Sequence, residues 1–386
     1  MNQNAFDESR GALAGELVDD WRSLPEGEPA AVRALAEEQE RGSEGWIVLR
    51  SLVFFLLILA AFALGLNGLI TLGLWHIKTG QYGVSNRMIR GEINAQIVIN
   101  GSSRALSGFD PRIIQATTGL TAYNIGRNGS QTDMQLAVLK TYLEHNRKPE
   151  IVIQSLDSFS FEATREVYNP AQYVPYLYDR ELWTPLRRIN PGIWKSRYVP
   201  LYGYVVDDMS MSWVLGLGEL VGWSQREDYF LGFNPRPLKW TDEFKSFRAA
   251  NPNGVDWPID EEGKQSLEEL IQVCRAHEVK LIFVYAPEYS EMQKLTRNRS
   301  EVFRDLHDLS ERYSVPLWDY SDWRYSAETK YFQNSQHLNE EGAQVFSEDL
   351  SNRLQGFISA NPFQSNGLQV RAIADDRGVE TNLAKR

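Results

Sequence analysis

The sequence is poor in the residues that build several common kinds of site. Its 386 residues include one cysteine, five histidines and no run of positive charge. A single thiol, Cys274, excludes an intramolecular disulfide. Its place in the helical pattern "LEELIQVCRAHEV" makes it a small core residue. With no CxxC pair and no two histidines at ligand spacing, no metal site is expected. The phosphate-loop pattern GxxxxGK(S/T) and a strand-linked GxGxxG are both missing, and no cofactor is expected. The net charge is −11, and residues 1–45 carry eleven acidic against four basic side chains. A protein with no basic field is not expected to have a nucleic-acid partner.

What the chain does have is one long apolar run. From Ser51 to Trp75 no residue is charged. As a helix these residues rise about 37 Å, enough to cross a bilayer core of roughly 30 Å. Trp46 and Trp75 stand where interfacial aromatics belong. The run begins too far into the chain, and is too long, for a cleaved leader. The expected organisation is an acidic, mostly disordered tail over 1–45, with one short helix near "AAVRALAEEQER", and a membrane helix over 46–76. A folded domain then occupies 90–360, and a loose tail 361–386. Arg41 and Arg50 on one side of the run face Lys78, Arg87 and Arg90 on the other, so charge alone does not orient it.

Beyond residue 92 short apolar stretches alternate with helical patterns. "AQIVIN", "EIVIQSL", "KLIFVYA" and "VPLWDYS" read as strands. "TDMQLAVLKTYLEHN", "KQSLEELIQVCRAHE", "SEVFRDLHDLSERY" and "NEEGAQVFSEDLSNRL" read as helices. Apolar strands without polar alternation are covered on both faces, which predicts an α/β fold: a three-layer sandwich around a parallel sheet, flavodoxin-like in type. Residues 165–260 interrupt the rhythm and hold six of the eleven tryptophans. They read as an aromatic-rich insertion whose rings either fill a subdomain core or form a sugar-binding or membrane-facing surface.

In a parallel sheet, ligands gather where strands end and helices begin. Three such places carry small polar residues. Gly101, Ser102 and Ser103 follow "IVIN". Asn124, Gly126 and Gly129 lie in "YNIGRNGSQTD". His337 lies in "YFQNSQHLNEEGA" before the last helix. A serine becomes a nucleophile when a base takes its proton, and histidine is the usual base. A glycine lets a backbone N–H approach an oxyanion. Taken singly, these are also a helix cap, a turn and an ordinary histidine; together, in this order, they suggest nucleophile, oxyanion donor and base.

"IVINGSSRA", "AYNIGRNGS" and "HLNEEGAQVFSEDL" resemble the first, second and last conserved blocks of the SGNH (GDSL-type) hydrolase superfamily. The likeness is greatest to its membrane-anchored bacterial branch, associated with O-acylation of exopolysaccharides. It spans roughly 92–162 and 263–357. The resemblance implies Ser103 as nucleophile, His337 as general base and Gly129 as oxyanion donor, with Gly126 the weaker candidate. Two positions depart from the family. Where the third block supplies an asparagine to the oxyanion hole, "IVIQSLDSFSF" has Asp157 and Ser158; only Ser158 could donate, and Asp157 is expected to turn away. Where the triad acid belongs, three residues before the histidine, stands Asn334. It can hold the imidazole tautomer through its carbonyl but cannot neutralise an imidazolium. A backbone carbonyl, Asp319 or Asp322 could take over that role.

The function the resemblance implies is a serine-dependent O-acyltransferase, most simply acetyl, acting on a polysaccharide acceptor. A membrane-bound O-acyltransferase in the bacterial cytoplasmic (inner) membrane would be the donor partner, with the folded domain in the periplasm. The alternatives are a carbohydrate esterase of the same fold and an inactive scaffold or glycan-binding protein. Asn-x-Ser occurs at Asn100, Asn128 and Asn298. A glycan on either of the first two would obstruct the expected site, which fits a bacterial source.

Overall fold

The first element among the described residues is a helix of 47 residues, α1 (Ala30–His76). The computed structural model describes residues 30–206, 211–223, 229–237, 239–241 and 243–361. Most of the expected acidic tail and nearly all of the expected C-terminal tail therefore lie outside the described residues. The short helix expected near residues 30–41 and the apolar helix expected over 46–76 are one element. No proline occurs between Pro29 and Pro111, and the glycines at 42 and 45 each cost a helix only about 1 kcal/mol. Gly45–His76 is long and apolar enough to cross a membrane. The chain divides into two units, residues 1–66 and 67–386.

In the second unit, α2 (Gly80–Ile89) leads into β1 (Ile97–Asn100), α3 (Ser103–Gly108), α4 (Pro111–Thr118), β2 (Ala122–Asn124), α5 (Thr132–His145) and β3 (Ile151–Leu156). The insertion follows with α6 (Arg180–Ile189), α7 (Trp194–Tyr198), α8 (Tyr202–Val205), α9 (Ser212–Leu220) and α10 (Glu243–Ala250). The chain then returns through α11 (Glu261–Ala276), β4 (Lys280–Tyr285), α12 (Ser290–Leu295), α13 (Arg299–Tyr313), β5 (Leu317–Asp319) and α14 (Glu340–Ala360).

The five strands form one sheet in the order β2-β1-β3-β4-β5, and every pairing is parallel. Ile97 pairs with Ile151 and Ile99 with Ile153, which pairs in turn with Ile282. These residues share one face and pack with Ile114 of α4 and Phe346, Leu350 and Leu354 of α14. Alternation sends Val98, Val152 and Phe283 to the opposite face, where they are equally buried; α5 and α11 pack together there, with α11 against β4. The result is the expected three-layer α/β sandwich. Its strand order reverses between β1 and β3, and such a switch point opens a crevice beyond the strand ends. Ser103 follows β1 there, and Asp157 follows β3.

The insertion buries some of its aromatics and exposes others. Tyr173, Tyr176, Tyr204 and Tyr229 are buried, whereas Trp194, Tyr198, Trp213 and Trp223 face outward. Its apolar segment "WVLGLGELVGW" is mostly the nine-residue α9.

Candidate active site

The turn after β1 needs its glycine. Gly101 has φ +151°, and a Cβ there would lie 2.8 Å from the Cβ atoms of both Ala105 and Ser155. Ser102 then caps α3, its side chain accepting from the Arg104 N–H. The next residue, Ser103, is the first of the helix. The sequence admitted both a helix cap and a nucleophile in this stretch. The structure makes Ser102 the cap and leaves Ser103 as the candidate nucleophile.

Ser103 Oγ lies 2.7 Å from His337 Nε2. The other ring nitrogen, Nδ1, lies 3.0 Å from Asn334 Oδ1. That oxygen also accepts from the backbone N–H groups of Gln336 and His337. The Asn334 amide donates through Nδ2 to Glu243 Oε2 at 3.2 Å, which fixes which end of the amide faces the ring. A carbonyl facing Nδ1 requires an Nδ1–H tautomer, and so leaves Nε2 as an acceptor for the serine proton. Gln333 N–H to His337 O, with a bridge between Phe332 and Leu338, pins the loop that carries both residues.

The ring is held neutral. Burial, together with the cations of Arg236 and Arg104, lowers the His337 pKa to about 3. Neither alternative acid compensates. Asp319 accepts from the Ser321 N–H in its own turn, and Asp322 is exposed; among the described residues neither contacts His337. The base is therefore free to accept a proton at any physiological pH, but the imidazolium it becomes has no carboxylate beside it.

The second-block loop lies against the turn after β1. Arg127 N–H donates to Gly101 O, and Ile125 N–H to Ile99 O. Gly126 N–H is taken by Asn124 Oδ1, which removes Gly126 as an oxyanion donor. Gly129 has φ +61°, a left-handed conformation that favours glycine, and a Cβ on it would strike the Tyr168 side chain at 2.5 Å. Ser158 is placed differently from its expected role. Its hydroxyl is buried and bonded to Tyr285 OH at 2.8 Å, and that phenol donates to Glu288. With the phenol proton committed to Glu288, the serine proton goes to the phenol oxygen, leaving none for an oxyanion. Asp157 turns to Arg104, with Oδ1 3.2 Å from NH1 and both side chains buried.

Three contributors carry no motif and were missed in the sequence. Arg104 follows the candidate nucleophile and also donates to the carbonyls of Ala286 and Pro287, so one guanidinium ties α3 to the ends of β3 and β4. Arg236 comes from the insertion and donates to Asn128 Oδ1 and Gln333 Oε1, bridging the glycine loop and the histidine loop. Burial lowers its pKa, opposed by Tyr229, Tyr168 and Glu243. Among the described residues it has no ion pair. Glu243, behind Asn334, is the third. Arg104 and Asp157 could have been found as opposite charges at two adjacent strand ends; Arg236 and Glu243 lie in a stretch where only the aromatics stand out.

Beside Arg236 a groove of about 660 Å³ is lined by residues including Lys239, Trp240, Lys330 and Glu341. It contains neither Ser103 nor His337.

The architecture is SGNH-like: a 2-1-3-4-5 parallel sheet, a serine turn after the first strand and a histidine before the last helix. No family model and no curated protein matches the sequence. Among solved structures, the chain is similar to a psychrotrophic esterase from Pseudoalteromonas sp. at 10% identity and TM-score 0.36, over 68% of this chain and 98% of that one. It is similar to a lipase/acylhydrolase from Enterococcus faecalis at 12% and 0.35, over 68% and 95%. An acetyl xylan esterase resembles it at 11% and 0.34, over 68% and 98%.

Proposed function

We propose that this protein transfers acyl groups through Ser103, moving an ester from a donor to a sugar hydroxyl outside the cytoplasmic membrane. The observation that carries the reading is the line from Ser103 Oγ through His337 to Asn334, with distances of 2.7 and 3.0 Å. Ser103 Oγ attacks the donor's acyl carbon while its proton passes to His337 Nε2. The tetrahedral intermediate expels the donor alkoxide, which takes that proton and leaves an acyl-serine. The acceptor hydroxyl then gives its proton to Nε2, attacks the acyl carbon and releases Ser103, which regains the proton. Gly129 and the Ser103 N–H are the oxyanion donors in this reading, and the Arg236 cation adds to the field that favours the oxyanion.

A polymeric acceptor is supported by the groove beside Arg236, where Lys239, Lys330 and Glu341 offer polar groups and Trp240 a ring for sugar stacking. A membrane-bound O-acyltransferase as donor and a periplasmic domain come from the resemblance and from the apolar helix. Water in place of the sugar would make the same site an esterase.

The test uses the full chain in detergent, with p-nitrophenyl acetate as donor and short oligosaccharides as acceptors. Ester turnover and fluorophosphonate labelling are expected, with both lost in Ser103→Ala and turnover reduced at least about a hundredfold in His337→Ala. Acetylated oligosaccharide found by mass spectrometry supports transfer. Acetate alone supports the esterase. If neither turnover nor labelling depends on Ser103, the proposal fails and a binding role stands.

A further inference from the structure

We propose that the outward face of the aromatic insertion rests on a phospholipid bilayer, as a second membrane contact beside the apolar helix. Among the described residues beyond 76, thirteen large apolar side chains are exposed, and all but Phe247 lie from Tyr168 to Trp223. They are concentrated where α8 and α9 end: Val205 is 69% exposed, Met211 54%, Trp213 43%, Val221 80% and Trp223 64%. Exposed residues of this kind scattered singly would need no explanation, but a cluster confined to one subdomain marks a contact surface.

The packing of this subdomain points to lipid as the occupant. It is built against the last ten residues of α1. Leu201 N–H donates to Asn67 Oδ1, and Thr71 Oγ1 is 2.8 Å from Tyr204 OH. A Cβ on Gly73 would fall 1.7 Å from Gly216 O, so α9 and α1 meet backbone to backbone, as small residues permit. Leu69 and Leu72 of the same stretch stay half-exposed. α8 and α9 thus pack against residues 67–76, the last turns of α1. The flank of the subdomain carries the mixture found at a headgroup layer. Arg197 lies over the rings of Tyr178, Trp183 and Tyr198, Arg187 over Trp183, and Lys195 over Tyr202. None of these three cations has a carboxylate partner among the described residues. Cations on aromatic rings, beside tryptophans, are suited to phosphate headgroups above an acyl layer.

The inference rests on the reading of α1 as a membrane helix, and the test separates the two. The full chain with Cys274→Ala receives one cysteine at a time, is labelled with an environment-sensitive fluorophore, and is reconstituted into nanodiscs of phosphatidylcholine and phosphatidylglycerol. A lipid-borne quencher is then added. The reporters are Val205→Cys and Val221→Cys, with Phe55→Cys in the apolar helix and Glu311→Cys on α13 for comparison. The expected result is loss of fluorescence at 205, 221 and 55 and none at 311. Quenching of native tryptophan by brominated lipid, reduced in Trp213→Tyr/Trp223→Tyr, gives the same answer without labels. If 55 is quenched and 205 and 221 behave like 311, the bilayer contact is overturned while the membrane helix stands. If 55 is not quenched either, both readings fall. Protection of 205 and 221 only in native membranes, and not in pure lipid, would assign the face to a protein partner and overturn the proposal.

Discussion

Asn334 stands between an imidazole that must become positive and a carboxylate that is already negative. Its carbonyl meets His337 Nδ1 and its amide nitrogen meets Glu243 Oε2. The negative charge of an ordinary triad is thus present here, but one amide further from the ring. Restoring the acid by Asn334→Asp alone would set two carboxylates at the 3.2 Å separation now bridged by a hydrogen bond, and like charges at that distance cannot both ionise freely. The double variant Asn334→Asp/Glu243→Gln removes the conflict. In a serine protease, loss of the triad acid lowers kcat about 10⁴-fold, so a gain of about tenfold or more is expected in the double variant, exceeding that of the single. The pH profile supplies an independent sign. In the native protein His337 is neutral down to about pH 3, so kcat/KM should show no inflection near 6.5, the ordinary histidine value. A carboxylate at 334 raises the imidazole pKa, so the double variant should lose activity as pH falls through the neutral range. A single variant faster than the double, or a native profile with its midpoint near 6.5, would refute this account.

At the scale of elements, the nucleophile turn depends on a buried charge cluster at the ends of three strands. Burial works against the Arg104 charge, but Tyr285, Asp157 and Glu288 together hold it firmly protonated. Burial also pushes Asp157 and Glu288 above the usual carboxylate range, opposed mainly by Arg104. Removing the cation leaves two buried acids without their partner. Arg104→Met is therefore expected to lower stability by about 3–5 kcal/mol, read as a fall in Tm, and to disorder the turn that aims Ser103. Arg104→Lys should recover part of the stability but not the bonds to both carbonyls. A melting curve unchanged in Arg104→Met would show that the cluster does not support the turn. Beyond Arg104 and Asp157 as opposite charges at two strand ends, this network was not legible in sequence, because its members are far apart in the chain and follow strands of ordinary appearance. The long strands were legible for the opposite reason. Buried on both faces, β3 opens on an apolar run over 151–153 and β4 reads as one over 281–285. β2 has three residues inside a glycine loop and is a strand only through its pairing with β1. α4 carried signals in plain view, Asp110 as cap, Pro111 in the first turn and Gly119 in the left-handed conformation at its end.

At the scale of the molecule, the structure changes how the charges flanking the apolar helix are weighed. In sequence, Arg41 and Arg50 balance Lys78, Arg87 and Arg90. In the fold, the Arg90 guanidinium donates to Trp75 O at the end of α1 and lies over the Trp75 ring. Its charge is committed to the carbonyls at the negative end of a helix dipole. Arg87 belongs to α2, seven of whose ten residues are buried. The proposed function puts the side of Arg41 and Arg50 in the cytoplasm and the serine site outside it, with the acyl acceptor in the cell envelope. The full chain carrying alkaline phosphatase at its C-terminus is expected to be active in a bacterial host, and the same chain carrying a green fluorescent protein dark. Arg90→Gln should leave that result unchanged, since its charge does not set the orientation. An inactive phosphatase with a bright fluorescent fusion would place the site in the cytoplasm and remove the envelope polymer as acceptor, while leaving the Ser103–His337 chemistry intact.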